Sequence, residues 1–188
     1  DYQNSLKQRL ESLTGTVDEL LEWARMQLGG ISAYPANVNV SEVVKENADL
    51  FHTLIQRKNI DFKIEAPDDL EAWIDENHFK VAIRNLIHNA IKSTNGGGSI
   101  KVTSDQSETQ TIVSIVDSGV GMSGDRIQSI IKKEIQKSKA GTDQEMGSGL
   151  GLSLTLGLLE KNNCDVHVTS APNEGTCFEI KIPKEEVS

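Results

Sequence analysis

The residues most able to do chemistry in this chain fall into three groups. Asn85, Asn89 and Lys92 come first, followed by Asp117–Gly121 (Asp-Ser-Gly-Val-Gly) and Gly147–Leu152 (Gly-Ser-Gly-Leu-Gly-Leu). Amide oxygens can coordinate a divalent cation, a lysine can bind phosphate, and a carboxylate can accept a hydrogen bond from an exocyclic amine. Glycine turns let backbone approach a ligand closely. Together these groups predict a site for a magnesium nucleotide.

The first group lies on a predicted helix over about 76–93. At ~100° per residue, Asn89 and Lys92 fall within about 40° of Asn85 around the helix axis. The apolar side of this helix centres about 140° away, and its residues are Phe79, Ile83, Leu86 and Ala90. We therefore predict a polar stripe opposite the core, able to present a metal-coordinating carbonyl and a phosphate-binding cation to one ligand. The alternative is an ordinary solvated helix face.

The second and third groups both lie at one end of a predicted secondary-structure element. Asp117 ends the most apolar predicted strand, where it could accept a hydrogen bond from an amine such as that of adenine, and Gly119 and Gly121 would let backbone approach the ring. A simple Asp-initiated turn is the alternative. Gly147–Leu152 opens a helix whose first amides favour an anion such as a polyphosphate, although a lone glycine run is weak evidence. The polar stretch 137–146 before it is long enough to act as a lid.

The remaining patterns predict an α/β fold, a two-layer sandwich of a mixed sheet and helices. Strands are expected at 60–65, 72–74, 100–104, 111–116, 165–170 and 176–182, and helices at 40–57, 76–93, 124–136 and from the second glycine group to about 162. Asp75 is the expected N-cap of helix 76–93. The strand at 111–116 is apolar on both faces, which predicts a central position in a covered sheet.

One coiled-coil-like helix is expected ahead of this domain. Apolar residues repeat at alternating spacings of four and three through 1–28, namely Leu6, Leu10, Leu13, Val17, Leu20, Ala24 and Leu28. Such a seam should pair with an upstream helix or with a second copy of the chain, and docking on its own domain is the alternative. We divide the chain into this helical segment at 1–30, a linker at 31–37 and a main domain at 38–186.

Composition narrows the functional classes. The 188 residues carry a formal net charge of -9, which argues against nucleic acid as a partner. No apolar run approaches membrane-spanning length, and since the chain starts at Asp1 we expect a piece of a longer protein whose membrane anchor or sensor lies elsewhere. Cys164 and Cys177 lack metal-ligand spacing and are expected to be buried reduced thiols, as in a cytosolic compartment; a disulfide between them is the alternative.

These motifs resemble those of bacterial sensor histidine kinases. Residues 85–94 (Asn-Leu-Ile-His-Asn-Ala-Ile-Lys-Ser-Thr) resemble the N box of that family, and Asp117–Gly121 and Gly147–Leu152 resemble its two glycine boxes. Residues 175–178 (Gly-Thr-Cys-Phe) resemble its closing Gly-Thr element. The resemblance runs over about 38–186, and residues 1–30 resemble the second helix of the dimerisation and phosphoacceptor hairpin.

The resemblance implies the Bergerat ATP-binding fold and a role for each motif residue. Asn89 would coordinate magnesium, Asn85 would support metal and phosphates, Lys92 would touch phosphate, and Asp117 would bind the adenine amine. The residues implied to shape the pocket and its lid hinge are Gly119, Gly121, Gly147, Gly149, Leu150, Gly151 and Thr176.

Asn85 separates the branches of this superfamily. The hydrolysing relatives and the serine-directed kinases place a glutamate general base there, and an amide cannot take a proton. The resemblance therefore implies that the domain holds Mg-ATP without efficient hydrolysis and passes phosphate to an intrinsically nucleophilic imidazole. Catalysis would then consist of positioning and of charge neutralisation by metal and Lys92.

Three features depart from the family pattern. The four histidines, His52, His78, His88 and His167, all lie outside a His-Glu or His-Asp box, so no phosphoacceptor is expected in this chain. The phenylalanine-rich box before the lid is replaced by residues 130–135 (Ile-Ile-Lys-Lys-Glu-Ile). Ser93 stands where many members have an aromatic residue.

We expect the catalytic domain of a protein-histidine kinase, with ATP and Mg2+ as cofactors. Its partners would be the histidine-bearing dimerisation helix and a response-regulator receiver domain, within a homodimeric, membrane-anchored parent whose kinase domain lies on the cytoplasmic side. The alternatives are a non-catalytic nucleotide-sensing dimerisation module and an ATPase of the same fold, which Asn85 disfavours.

Overall fold

The computed structural model describes residues 32–132 and 150–184. The predicted helix 1–28, the lid stretch 137–146 and residues 133–136 of the predicted helix 124–136 lie outside these described residues. Within the described ranges the chain forms seven strands and five helices. In chain order they are β1 (Ala36–Asn39), α1 (Val40–Leu50), α2 (His52–Arg57), β2 (Asp61–Glu65), β3 (Glu71–Ile74), α3 (Glu76–Ser93), β4 (Ser99–Gln106), β5 (Gln110–Asp117), α4 (Gly124–Ile131), α5 (Leu150–Lys161), β6 (Asp165–Ser170) and β7 (Thr176–Pro183).

The main sheet has five strands in the order β2-β4-β5-β7-β6. The pair β2–β4 is parallel and the other pairs are antiparallel, which makes the sheet mixed, as predicted. The strand register places Asp117, at the end of β5, opposite Thr176 at the start of β7. Two predicted site residues from distant parts of the sequence are thus neighbours because of strand pairing.

Helix α3 joins the helical layer to the sheet. It packs against α1, α5 and β5. Phe79, Ile83 and Ile87 of α3 are fully buried, as are Val113 and Ile115 of β5. Burial of such side chains contributes roughly 1.5–3 kcal/mol each. The predicted two-layer α/β sandwich is confirmed, and its core fixes the helix that carries the first group of site residues.

The sequence pattern predicted the bounds and the N-cap of α3 correctly. The helix spans Glu76–Ser93, as predicted, and the N-cap residue is Asp75, whose Oδ1 accepts a hydrogen bond from the His78 amide at 3.0 Å. The cap satisfies one of the backbone donors that every helix start leaves unpaired. The predicted cap and the predicted helix bounds are therefore both confirmed.

Three local predictions need correction. The single helix expected at 40–57 is broken at Phe51, whose φ of -103° and ψ of 6° are not helical, and whose ring stacks on His88 at 5.4 Å. The expected linker 31–37 already enters β1, which pairs with β3 as a separate two-stranded sheet. Strand β5 is central, as predicted, but not covered on both faces, since Val116 is 40% exposed.

Cys164 and Cys177 are free thiols, as expected, although both are half-buried rather than fully buried. Burial raises the pKa of Cys164 to about 12, so this group stays a neutral thiol at physiological pH. Among the described residues, no helix combines the length and the apolar character needed to cross a membrane.

Candidate functional site

Asn85 lies on the side of α3 that faces α5. It is buried, and its Nδ2 donates to the Gly151 carbonyl and to Thr155 Oγ1, both at 3.3 Å. The predicted position of Asn85 on a polar stripe opposite the core is therefore wrong, and so is the alternative of a solvated helix face, because α5 covers this part of α3. The contact brings Gly151 of the second glycine group directly onto the first group. It also occupies the amide nitrogen of Asn85, which leaves its Oδ1 as the atom suited to a cation or a water.

Asn89 and Lys92 follow Asn85 by one and two helical turns and are half-buried. Lys92 stands in the last turn of α3, where a helix dipole favours a cation. The Asn89 carbonyl accepts a hydrogen bond from Ser93 Oγ at 2.8 Å. The three side chains thus form a line that runs from the contact with α5 to the end of α3.

Asp117 is a buried carboxyl at the end of β5. Only 6% of the residue is exposed, and its Oδ1 accepts a hydrogen bond from the Gly119 amide at 2.8 Å. Burial raises the pKa of Asp117 to about 6, and this rise is opposed by hydrogen bonding from the Gly119 and Thr176 amides and from Ser93. The group is therefore mostly ionised at pH 7.5, and a ligand that donates a hydrogen bond to it would relieve its desolvation.

The first glycine group threads between α3 and the turn that joins β6 to β7. The Val120 amide donates to the Ser93 carbonyl at 3.1 Å, and the Val120 carbonyl accepts from the Asn173 amide at 2.8 Å. A Cβ on Gly119 would lie 2.5 Å from the Ser93 carbonyl oxygen. Gly121 has a φ of 62°, and its Cβ would lie 1.9 Å from the Ala171 carbonyl oxygen. Both positions require glycine because backbone lies against them.

Thr176 closes the site from the β7 side. It is buried, and its Oγ1 lies 3.0 Å from Ser170 Oγ. Ser170 Oγ also donates to the Gly175 carbonyl at 2.6 Å and accepts from the Met122 amide at 2.8 Å. One serine hydroxyl thus ties the first glycine loop to the β6–β7 turn.

Sequence reasoning missed Ser170 and Thr155. Ser170 ends an edge strand in a pattern with no motif, so no local signal identifies it. Thr155 stands four residues after Gly151, where a threonine hydroxyl can bond back to a helix carbonyl, and it does so at 2.8 Å. Its second role, as acceptor for Asn85, depends on a helix 70 residues away in the sequence.

The structure brings the predicted site residues together in two linked places. Asn85 meets Gly151 between α3 and α5, and Asp117, Gly119, Gly121 and Thr176 meet at the ends of β5 and β7. Ser93, at the end of α3, joins the two places through its contacts with the first glycine loop. Gly147 and Gly149 lie outside the described residues, and Leu150 begins α5.

The four histidines lie on α2, α3 and β6. His52 and His167 are exposed, and His88 is exposed on one side and stacked on Phe51 on the other. His78 Nδ1 lies 3.0 Å from Asn162 Nδ2. In the described part of the chain, three or more His, Cys, Asp or Glu side chains do not converge on a possible metal site.

Magnesium would therefore have to rely on amide oxygens, together with waters and ligand oxygens. That donor set suits this ion, which keeps several waters and shares its remaining positions with substrate phosphates. Asn89 and the Oδ1 of Asn85 fit this requirement, because the nitrogen of Asn85 is already used by α5.

Similarity to known proteins identifies the family of this chain. Residues 74–186 match the family described as histidine kinase-, DNA gyrase B- and HSP90-like ATPases. The chain is 32% identical over 182 residues to the sensor protein EvgS of Escherichia coli O157:H7, a match that covers 93% of this chain and 15% of that protein. The chain thus corresponds to only a small part of this relative's length.

Two solved structures show the same fold. Histidine kinase AdeS of Acinetobacter baumannii aligns with a TM-score of 0.78 at 17% identity, covering 97% of this chain and 84% of that one. Histidine kinase ThkA, solved in complex with the response regulator protein TrrA, aligns with a TM-score of 0.72 at 26% identity, covering 97% of this chain and 50% of that one. The mixed sheet and its helical layer are those of histidine kinase catalytic domains.

Proposed function

Because this chain belongs to the histidine kinase-, DNA gyrase B- and HSP90-like ATPase family, in its sensor histidine kinase branch, we propose that it binds Mg-ATP and donates the γ-phosphoryl group to a histidine on a dimerisation helix. The observation that supports this most directly is the pair of contacts that join the motifs. Asn85 bonds to Gly151, and the first glycine loop bonds to the end of α3. A nucleotide lying along α3 would meet the described motif residues in the order adenine, phosphates, metal.

Asp117 is the proposed adenine acceptor. Its carboxylate already receives hydrogen bonding from the Gly119 and Thr176 amides, and a carboxylate has about four acceptor positions. A remaining position suits one N–H of an exocyclic amine. A purine with a carbonyl oxygen at that place would direct two acceptors at each other, so the site should prefer adenine.

Asn89, Asn85 and Lys92 are the proposed phosphate and metal residues. When bound, magnesium would neutralise phosphate charge, and Asn89 would hold it with support from Asn85. Lys92 would add a cation near the same phosphates. Since the formal net charge of the chain is -9, these local charges would have to offset a repulsive field around a polyphosphate.

Asn85 also supports transfer rather than hydrolysis. Its side chain is an amide held as a donor to the α5 backbone and to Thr155, so it cannot remove a proton from water. An imidazole acceptor needs no such base, because its nitrogen is already nucleophilic. The domain would therefore position reactants and neutralise charge while its ATPase turnover stays low.

The proposed organisation follows the same branch. Residues 1–30 would be the second helix of the dimerisation hairpin, the linker would end where β1 begins at Ala36, and the ATP-binding domain would extend from there to about residue 186. The phosphoryl group would pass to an aspartate of a response regulator, as the ThkA–TrrA complex suggests by analogy. The parent would be a homodimeric, membrane-anchored sensor with this domain on its cytoplasmic side.

Calorimetric titration of ATP with and without magnesium tests the proposal. Asp117→Asn should weaken ATP binding by roughly tenfold or more, as loss of a hydrogen bond to a charged group implies, while inorganic triphosphate should bind both proteins equally. Asn89→Asp should change the magnesium dependence of ATP binding more than the affinity measured without metal. Triphosphate competing as well as ATP would sink the adenine assignment, and rapid ATP turnover would move the protein to the ATPase branch.

A further inference from the structure

A partly buried polar cluster links the segment before the first strand to both helices of the site. We call it the Asp75 junction, and it consists of the Tyr34 backbone amide and the side chains of Asp75, His78 and Asn162. Asp75 is 7% exposed and Asn162 is 5% exposed. The junction lies at the start of α3 and just after the end of α5, so it touches each helix at the end opposite to the nucleotide motifs.

The two oxygens of Asp75 serve different elements. Oδ1 accepts from the His78 amide at 3.0 Å and caps α3. Oδ2 accepts from the Tyr34 amide at 2.9 Å, which ties residues 32–35 to the same side chain. Burial alone would raise the pKa of Asp75, but the His78 and Tyr34 amides outweigh it and hold the pKa below its usual value. The carboxylate is therefore ionised, and both bonds are charge-assisted.

Asn162 connects the junction to α5. Its Oδ1 accepts from the Asp75 amide at 2.8 Å. Its Nδ2 donates to the Leu158 carbonyl at 2.8 Å and lies 3.0 Å from His78 Nδ1. Both amide hydrogens are thus used, and a flipped amide would direct its oxygen at the Leu158 carbonyl. This side chain can adopt one orientation, which fixes the end of α5 against the start of α3.

Both helices run from the junction to the site. Helix α3 carries Asn85, Asn89 and Lys92, and α5 carries Gly151 and Thr155, which contact Asn85. A helix transmits displacement of one end to the other because its backbone hydrogen bonds resist stretching. A change at the junction can therefore alter how α5 lies on Asn85.

We propose that the Tyr34–Asp75 hydrogen bond ties the preceding chain to the nucleotide site, and that Asp75 and Asn162 are positioning residues for that site. Movement of the segment before β1 would then change nucleotide affinity through the two helices. This inference rests on the proposed function for its nucleotide, although the mechanical link between the segment and α5 can be measured without any ligand.

Two variants remove this bond from opposite sides. Tyr34→Pro deletes the donating amide, and Tyr34→Ala is the matched control, because it keeps the amide and changes a side chain in a residue that is 78% exposed. Asp75→Asn keeps an oxygen for the α3 cap, where asparagine is a favoured residue, but turns an amide group toward the Tyr34 donor. Amide hydrogen exchange at His78 reports whether the cap persists in each variant.

The measurements are ATP affinity by calorimetry and amide hydrogen exchange through α5, on the full chain. Tyr34→Pro and Asp75→Asn should both weaken ATP binding by about fivefold and speed exchange at Thr155, with the His78 amide still protected, while Tyr34→Ala behaves as wild type. If Tyr34→Pro and Asp75→Asn match Tyr34→Ala in α5 exchange, the junction is only a helix cap and the inference is overturned. Absent ATP binding in the wild type would instead overturn the proposed function, and the exchange comparison would still decide the inference.

Discussion

The environment of Asp117 opposes the charge of its carboxylate. Burial raises its pKa from 3.8 to about 6, so the folded protein binds this proton more tightly than the unfolded chain does. Its contribution to stability therefore falls as pH rises between these two values, and it stays unfavourable above about 6. In the ligand-free protein, the residue proposed to recognise adenine therefore lowers the stability of the fold at neutral pH.

Asp117→Asn should consequently leave the ligand-free protein at least as stable at pH 7.5. The amide keeps an oxygen for the Gly119 donor and removes a buried charge, but its NH2 group then faces the Thr176 amide, so the net gain is at most about 1 kcal/mol. Thermal unfolding of both proteins at pH 5 and pH 7.5 measures this, and the gain should shrink at pH 5. A clear loss of stability at pH 7.5 would show that the carboxylate has a structural role.

Adenosine binding should weaken as pH falls through about 6, because the carboxylate form of Asp117 is needed to accept the amine. Affinity at pH 5 should be roughly tenfold lower than at pH 7.5, as expected for a single ionisation in that range. Adenosine is the suitable probe because it carries no phosphate to titrate. The Asp117→Asn protein is the control, and its weaker affinity should not change over the same pH range.

At the scale of elements, some features of the fold follow from the local sequence and others depend on contacts between distant segments. The bounds of α3 and its Asp75 cap could be predicted, because the cap and the helical period are local. The burial of Asn85 could not, because α5, which covers it, begins more than 60 residues later. Phe51, where the expected helix is broken, stacks on His88 of α3, and β1 pairs with β3; both contacts join residues that are distant in the sequence.

The turn between β6 and β7 is an element on which the site depends. Gly175 has a φ of 76°, and its Cβ would lie 1.9 Å from the Asp117 carbonyl oxygen. Gly175→Ala should destabilise the protein by about 1–3 kcal/mol and weaken adenosine binding, because β7 must move away from Asp117. Gly124→Ala is the control, since its Cβ meets nothing within 4 Å, and it should be neutral. Equal melting temperatures for the two variants would contradict this account.

The contact between α3 and α5 can be tested separately. Thr155 is fully buried, and its hydroxyl donates to the Gly151 carbonyl and accepts from Asn85. Thr155→Val keeps the shape and loses both bonds, so ATP should bind several-fold more weakly, while adenosine, which lacks phosphates, should bind normally. Thr155→Ser keeps the hydroxyl and should retain ATP affinity. Equal losses for ATP and adenosine in Thr155→Val would mean that Asn85 does not belong to the phosphate end of the site.

At the scale of the whole molecule, the mixed sheet and the helices packed on it hold the first two groups of motif residues next to each other. The mixed sheet could be predicted from strand patterns and from the resemblance. The one-sided covering of β5 could not, because a strand that is apolar on both faces does not show which face a helix will cover. The exposed Val116 is the clearest mark of that open face.

None of the four histidines is expected to accept phosphate, because all of them belong to the ATP-binding domain itself. His52, His88 and His167 are exposed on α2, α3 and β6, and His78 is held in the Asp75 junction. None of them shares the motif cluster formed by Asp117, Gly119 and Thr176, so the chain alone should not acquire acid-labile phosphate from γ-labelled ATP and magnesium. Adding a separately supplied acceptor helix should yield labelled helix, and Asn89→Asp should reduce that labelling. Acid-labile phosphate on this chain alone, lost in His88→Ala but not in His167→Ala, would instead make His88 the acceptor and overturn the assignment of an external helix.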